Sequence, residues 1–130
     1  MAHSIIEFRN KDFRVHDLDL AMACFLIMKQ SNGSLSDTLQ KLFDDWLESI
    51  SFDGPGCIDL HLDEHLVESD HINELISLIN LAESELKEYS VSYPKIELTQ
   101  YLDKAKINLI EDYKVDLIEN VLKGFRSIIE

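Results

Sequence analysis

Nine consecutive apolar residues, Leu20 to Met28, constrain this chain more than any other feature. A helix built from them has no polar face, so it must lie at the centre of a fold, covered on every side. The run is too short to span a bilayer, which takes about 20 residues. It also starts too far along the chain for a secretory leader. Asp17 is the expected cap and Asp19 suits a first helical turn. Lys29 and Gly33 mark the end. A buried central helix needs amphipathic neighbours, and 130 residues are enough to supply them within one domain spanning positions 1–130.

Those neighbours are legible. Ile5–Arg9 and Phe13–His16 alternate as two short strands, with Asn10-Lys11-Asp12 suited to a hairpin loop. Leu35, Leu39, Leu42, Phe43, Trp46, Leu47 and Ile50 fall at helical spacing, with Ser34 and Ser36 as candidate caps. Phe52 to Gly56 reads as a turn. From Cys57 to Leu62 the period changes: Ile58, Leu60 and Leu62 alternate with Asp59, His61 and Asp63, which predicts a half-buried strand. A long helix then starts at Ser69 or Asp70, with the stripe Ile72, Leu75, Ile76, Ile79, Ala82 and Leu86, and breaks at Val91 to Pro94. Leu98 to Leu109 suggests a less regular fourth helix, with Thr99 a possible cap, or a stretch broken into short turns. Asp112 opens a last one, striped by Val115, Ile118, Val121, Leu122, Phe125, Ile128 and Ile129. Gly124 in that helix costs roughly 1 kcal/mol against Ala, and close packing against a neighbour would explain it. The expected fold is α+β and mainly α: four or five helices packed with a small N-terminal antiparallel sheet.

Charge narrows the function classes. Lys and Arg number 12 and Asp and Glu 25, for a net charge of −13. Such a chain repels nucleic-acid phosphates and anionic membranes, and it attracts a basic protein. A DNA-binding antitoxin is disfavoured, with no basic patch or helix-turn-helix pattern. The charge is unevenly spread. Between Asp53 and Glu88 there are ten acidic residues and one basic residue, Lys87. Asp59, Asp63, Glu64, Glu68, Asp70 and Glu74 crowd the stretch that leads into the long helix. Such a block is either a solvated face or an interaction surface, and these six residues form the expected partner-binding set. The two cysteines, Cys24 and Cys57, are too few to staple a small secreted scaffold, so a reducing, cytoplasmic setting is expected.

Catalytic signals are weak. His61-Leu62-Asp63-Glu64-His65 reads as H-x-x-E-H, a zinc peptidase pattern, with His71 nearby. That chemistry needs both histidines on one helix face and Glu64 as base for the bound water. Strand-like alternation before His61 places it off any helix that carries His65, so the histidines are expected to be solvated and metal-free. Asp59, His61 and Asp63 could share a strand face, where a wet sheet surface is the commoner outcome. No phosphate-binding glycine loop, calcium loop or acyl-carrier Asp-Ser-Leu occurs, and no catalytic or cofactor-binding residue is expected. Cys24 in its apolar run is a poor nucleophile.

The opening combines a short strand, Lys11-Asp12-Phe13-Arg14-Val15-His16-Asp17 and a very apolar helix. It resembles the small bacterial immunity proteins of contact-dependent inhibition and related polymorphic toxin systems. Ile58 to Leu62 followed by Asp70-His71-Ile72-Asn73-Glu74-Leu75 is similar in style. The resemblance is one of pattern, over the first third and the middle of the chain. It implies stoichiometric inhibition of a cognate toxin domain, often a nuclease with a basic groove. The other readings are a helical adaptor or secretion chaperone and, remotely, a small zinc-dependent hydrolase built on His61, Glu64 and His65.

Overall fold

The computed structural model describes residues 2–130. It is mainly helical α+β, with a hairpin of β1 (His3–Phe8) and β2 (Lys11–His16), then α1 (Asp17–Lys29), α2 (Asp37–Phe52), the short α3 (Leu62–His65) and α4 (Ser69–Leu86). A two-residue strand β3 (Ser92–Tyr93), a 3-10 turn (Lys95–Leu98), α5 (Thr99–Ala105), a two-residue β4 (Tyr113–Lys114) and α6 (Val115–Ile129) complete it. β1 pairs antiparallel with β2, and β3 pairs antiparallel with β4.

Helix α1 is the hub. All nine residues from Leu20 to Met28 are buried. It packs against α6, α4, β2 and α2, which bring their apolar stripes to it. The α6 stripe is buried at each of the seven positions that the spacing picks out. The α1 start differs from expectation. His16 is its cap residue and makes no side-chain cap, while Asp17 is the first helical residue. The Asp17 carboxylate instead accepts from Ser4 Oγ at 2.6 Å and from the Gly56 amide at 2.8 Å, tying the hairpin to the turn after α2. Ser36 does cap α2, accepting from the Leu39 amide at 3.2 Å.

Three boundaries move. The hairpin turn is the two-residue Arg9-Asn10, both with positive φ, so Lys11 and Asp12 belong to β2. Positive φ at both central positions matches the right-handed twist of the strands. Of the less regular stretch Leu98–Leu109, helix α5 takes only Thr99–Ala105, directly after the 3-10 turn that ends at Leu98. The last helix starts at Val115, because Tyr113 and Lys114 pair with β3 first.

The strand expected over Cys57–Leu62 does not form. Residues 57–61 make no ladder, and Leu62 opens α3. The alternation is nevertheless real, with Ile58, Leu60 and Leu62 buried and Asp59 and Asp63 exposed. Side chains stand in for the missing partner strand. The Ile58 amide donates to Ser4 Oγ at 3.2 Å and the Asp59 amide to Ser49 Oγ at 2.9 Å. Trp46 Nε1 donates to the Leu60 carbonyl at 2.9 Å in a buried contact. Buried backbone polar groups need partners, and these supply them without a sheet.

Candidate functional site

A groove of about 760 Å³ lies between β1 and the segment from Gly56 to Glu64. One wall carries His3, Ile5, Glu7 and Arg14, and the other carries Asp59, His61, Asp63 and Glu64. One end of the segment is tied to the first residue of α1 and the other to the hairpin turn. At one end the Gly56 amide meets Asp17. Gly56 has φ +77, and a Cβ there would lie 3.1 Å from the His3 carbonyl oxygen, so a side chain is disfavoured on both counts. At the other end the Arg9 amide donates to Asp63 Oδ1 at 3.1 Å, and Arg9 Nη2 donates to the Val67 carbonyl at 3.2 Å.

The six expected partner-binding residues divide into three groups. Asp59, Asp63 and Glu64 line the groove and are exposed. Glu68 and Asp70 are exposed around the first turn of α4, beyond the groove lining. Carboxylates there also favour the positive end of the helix dipole. Glu74 turns inward. Its carboxylate accepts from the Ser36 amide at 3.0 Å and from Ser36 Oγ at 2.5 Å, so it secures the start of α2. Among the described residues no Lys or Arg side chain pairs with Asp59, Asp63, Glu64, Glu68 or Asp70.

The histidines are more engaged than free solvated side chains. His61 Nδ1 contacts Glu64 Oε1 at 3.0 Å and lies 3.8 Å from Asp59 Oδ2. The Glu64 hydrogen bond raises the His61 pKa above its ordinary value against a smaller burial effect, and Asp59 and Asp45 add to the rise. His65 Nε2 contacts Asp45 Oδ2, on α2, at 2.6 Å. His71 Nδ1 lies 3.9 Å from Glu74. His61 precedes α3 and has the left-handed φ of 52, so His61 and His65 do not share a helix face and the peptidase motif does not form. A different trio comes together instead: ligand atoms of Asp45, Glu64 and His65 lie within 4.8 Å of one another. Imidazole with two carboxylates suits a divalent transition ion. The Asp45–His65 hydrogen bond is what this geometry shows.

Asp45 carries no signal in the sequence, standing 20 positions before His65 with no motif to join them. The contribution of His3, Ile5, Glu7 and Arg14 is equally unmarked. Their alternation gives an outward face, but nothing in it says which segment lies alongside. The tyrosines around Pro94 pack a corner: Tyr93 is fully buried with Tyr89 edge-on at 5.0 Å, and Tyr101 stacks on Phe25 at 5.6 Å. Cys24 is buried, which pushes its thiol pKa up, and Cys57 is exposed on the groove lining. No helix among the described residues is long and apolar enough to cross a membrane.

Comparisons with protein-family models, with curated proteins and with solved structures find no match to this chain.

Proposed function

We propose that this chain is an immunity protein that binds a basic toxin domain, stoichiometrically and without catalysis, in the bacterial cytoplasm. One observation carries the reading. Asp59, Asp63, Glu64, Glu68 and Asp70 stay exposed beside or just beyond the groove, and among the described residues no Lys or Arg side chain forms an ion pair with them. Unbalanced like charges weaken a fold, and a complementary partner surface relieves that cost while speeding encounter. The pattern resemblance of the opening strand, Phe13, Asp17 and the apolar helix supplies the class of partner.

The adaptor or chaperone reading calls for a continuous apolar groove. Charged side chains dominate the groove walls, with Ile5 the one large exposed apolar residue among the described residues lining them, and Phe52, Val67, Val91, Ile96 and Ile110 are exposed at separate helix ends, turns and loops. That favours the inhibitor reading.

The test is protection. The 3′ portion of the reading frame upstream is expressed from an inducible promoter with and without this protein. Growth arrest by the fragment and rescue by this chain is the expected result. The double variant Asp59→Lys, Glu64→Lys should lose rescue while keeping wild-type thermal stability. A harmless fragment, or arrest that this chain does not relieve, overturns the reading.

A further inference from the structure

Resting on that reading, we propose that the partner enters the groove as an extended, basic segment that adds a strand to the free edge of β1.

Hydrogen-bond parity identifies the edge. In an antiparallel pair, residues alternate between those bonded across the ladder and those whose amide and carbonyl point the other way. The two-residue turn Arg9-Asn10 makes Phe8 and Lys11 a bonded pair, and the register then makes Ile6–Phe13 and Ser4–Val15 bonded pairs as well. The Asp17 amide donates to the Ala2 carbonyl at 3.1 Å, which continues the same parity one step further. His3, Ile5 and Glu7 therefore turn their backbone groups away from β2. The His3 carbonyl confirms the direction, because it is the atom that a Cβ on Gly56 would meet. Among the described residues no backbone group bonds the amide or carbonyl of Ile5 or Glu7 on that side.

A strand edge of this kind is a template for another chain. The groove between it and residues 56–64 is the space that such a chain would occupy. Charge selects the occupant. Glu7, Asp59, Asp63 and Glu64 line the groove, against one guanidinium, that of Arg14. A second copy of this chain would bring the same carboxylates to the edge and be repelled. A segment alternating Lys or Arg with apolar residues meets the carboxylates with one set and Ile5, 58% exposed, with the other.

The experiment uses the full chain and the peptide acetyl-Lys-Val-Lys-Val-Lys-amide, its glutamate counterpart, and a version of the lysine peptide N-methylated at alternate amides. Binding is followed by amide chemical shifts, and hydrogen exchange is read at single residues. The lysine peptide should bind and slow exchange at Ile5 and Glu7, with Ile6, already bonded across the ladder, unchanged. Ile5→Pro removes an edge donor that the ladder does not use, and it should weaken binding by about tenfold. Ile5→Thr keeps the donor and should bind within about twofold of wild type. The N-methylated peptide asks the same question of the unmodified protein, should Ile5→Pro fail to fold. No saturable binding at millimolar peptide, equal binding of the N-methylated peptide, or binding that leaves Ile5 and Glu7 exchanging freely would overturn strand addition. Loss of binding in Asp59→Lys, Glu64→Lys with none in Ile5→Pro keeps the acidic surface and discards the strand. Equal binding of lysine and glutamate peptides discards both.

Discussion

The ring of Phe13 occupies the space that a side chain at Gly124 would need. A Cβ built on Gly124 lies 2.6 Å from Phe13 Cδ2 and Cε2, and the same ring meets Phe125 edge-on at 5.6 Å. Strand β2 thus rests directly on the backbone of α6. Gly124→Ala gains about 1 kcal/mol of helix propensity and costs about 1–3 kcal/mol of overpacking. A net loss of about 1 kcal/mol in urea unfolding is expected. Phe13→Leu in the same chain should recover part of it, because the smaller side chain yields the space.

Trp46 holds the inner side of the groove wall. Its indole N–H is the donor to the buried Leu60 carbonyl. Trp46→Phe leaves that carbonyl without its partner, which costs about 1–3 kcal/mol, and adds a cavity term. The variant should still fold. Hydrogen exchange should quicken at residues 57–61 more than in α1, and uniform protection across both would contradict the assignment.

Lys29 ends α1 inside a polar cluster. Its ammonium contacts Glu85 at 2.6 Å, Tyr93 Oη at 3.0 Å and Glu97 at 3.0 Å, and Tyr93 also donates to Glu85. Burial works against the ionised Glu85, but the hydrogen bonds from Lys29, Tyr93 and Gln30 outweigh it and hold the carboxyl below its ordinary value. A folded-state pKa below the unfolded one gives stability that is present above about pH 4.3 and lost as pH falls through the folded value. Lys29→Met should cost about 2–3 kcal/mol at pH 7, short of the ~3–5 of a fully buried pair because the side chains are partly exposed. The deficit should shrink in thermal melts as the pH falls through the folded value of Glu85.

His61 gives the opposite pH dependence. Its folded pKa is raised, chiefly by Glu64. Its contribution is therefore complete below about pH 6.5 and fades as pH rises through the folded value. His61→Asn should be less stable than wild type at pH 5.5 by well under 1 kcal/mol, since the pair is largely solvent-screened. It should match wild type at pH 8.5. A constant difference at both pH values would show that the imidazole charge plays no part.

The cysteines report on the groove separately from the core. Cys57 should react with an aromatic disulfide reagent in the native protein, and Cys24 only on unfolding, since burial both shields it and disfavours its thiolate. Bound peptide should slow modification of Cys57, while reaction at an unaltered rate under saturating peptide would place the ligand elsewhere.

The sequence announced the helices that bury a stripe, because the spacing of their apolar residues is the packing itself. Leu20–Met28 and the α6 stripe needed no knowledge of their neighbours. Alternation over 57–62 reports one-sided burial but does not make a strand, since burial does not say who satisfies the backbone. Ser4, Trp46 and Ser49 do so, from distant elements. The groove was legible on one side alone. The acidic residues stand together in the sequence, whereas the β1 edge faces them through a fold that brings residues 3–7 beside residues 56–64. Glu74 shows the limit of a charge run, because one member of it had a structural post that only its contact with Ser36 reveals.

The odd and even positions of the Ile58–Asp63 segment belong to different tasks. Ile58, Leu60 and Leu62 fasten it to the interior, and Asp59, His61 and Asp63 face outward. Substitutions in the second set keep the first set's apolar burial in place and cost at most the weak, solvent-exposed ties that Asp59, His61 and Asp63 make. A lineage could therefore rewrite which partner is accepted, one outward residue at a time, without passing through an unfolded intermediate genotype.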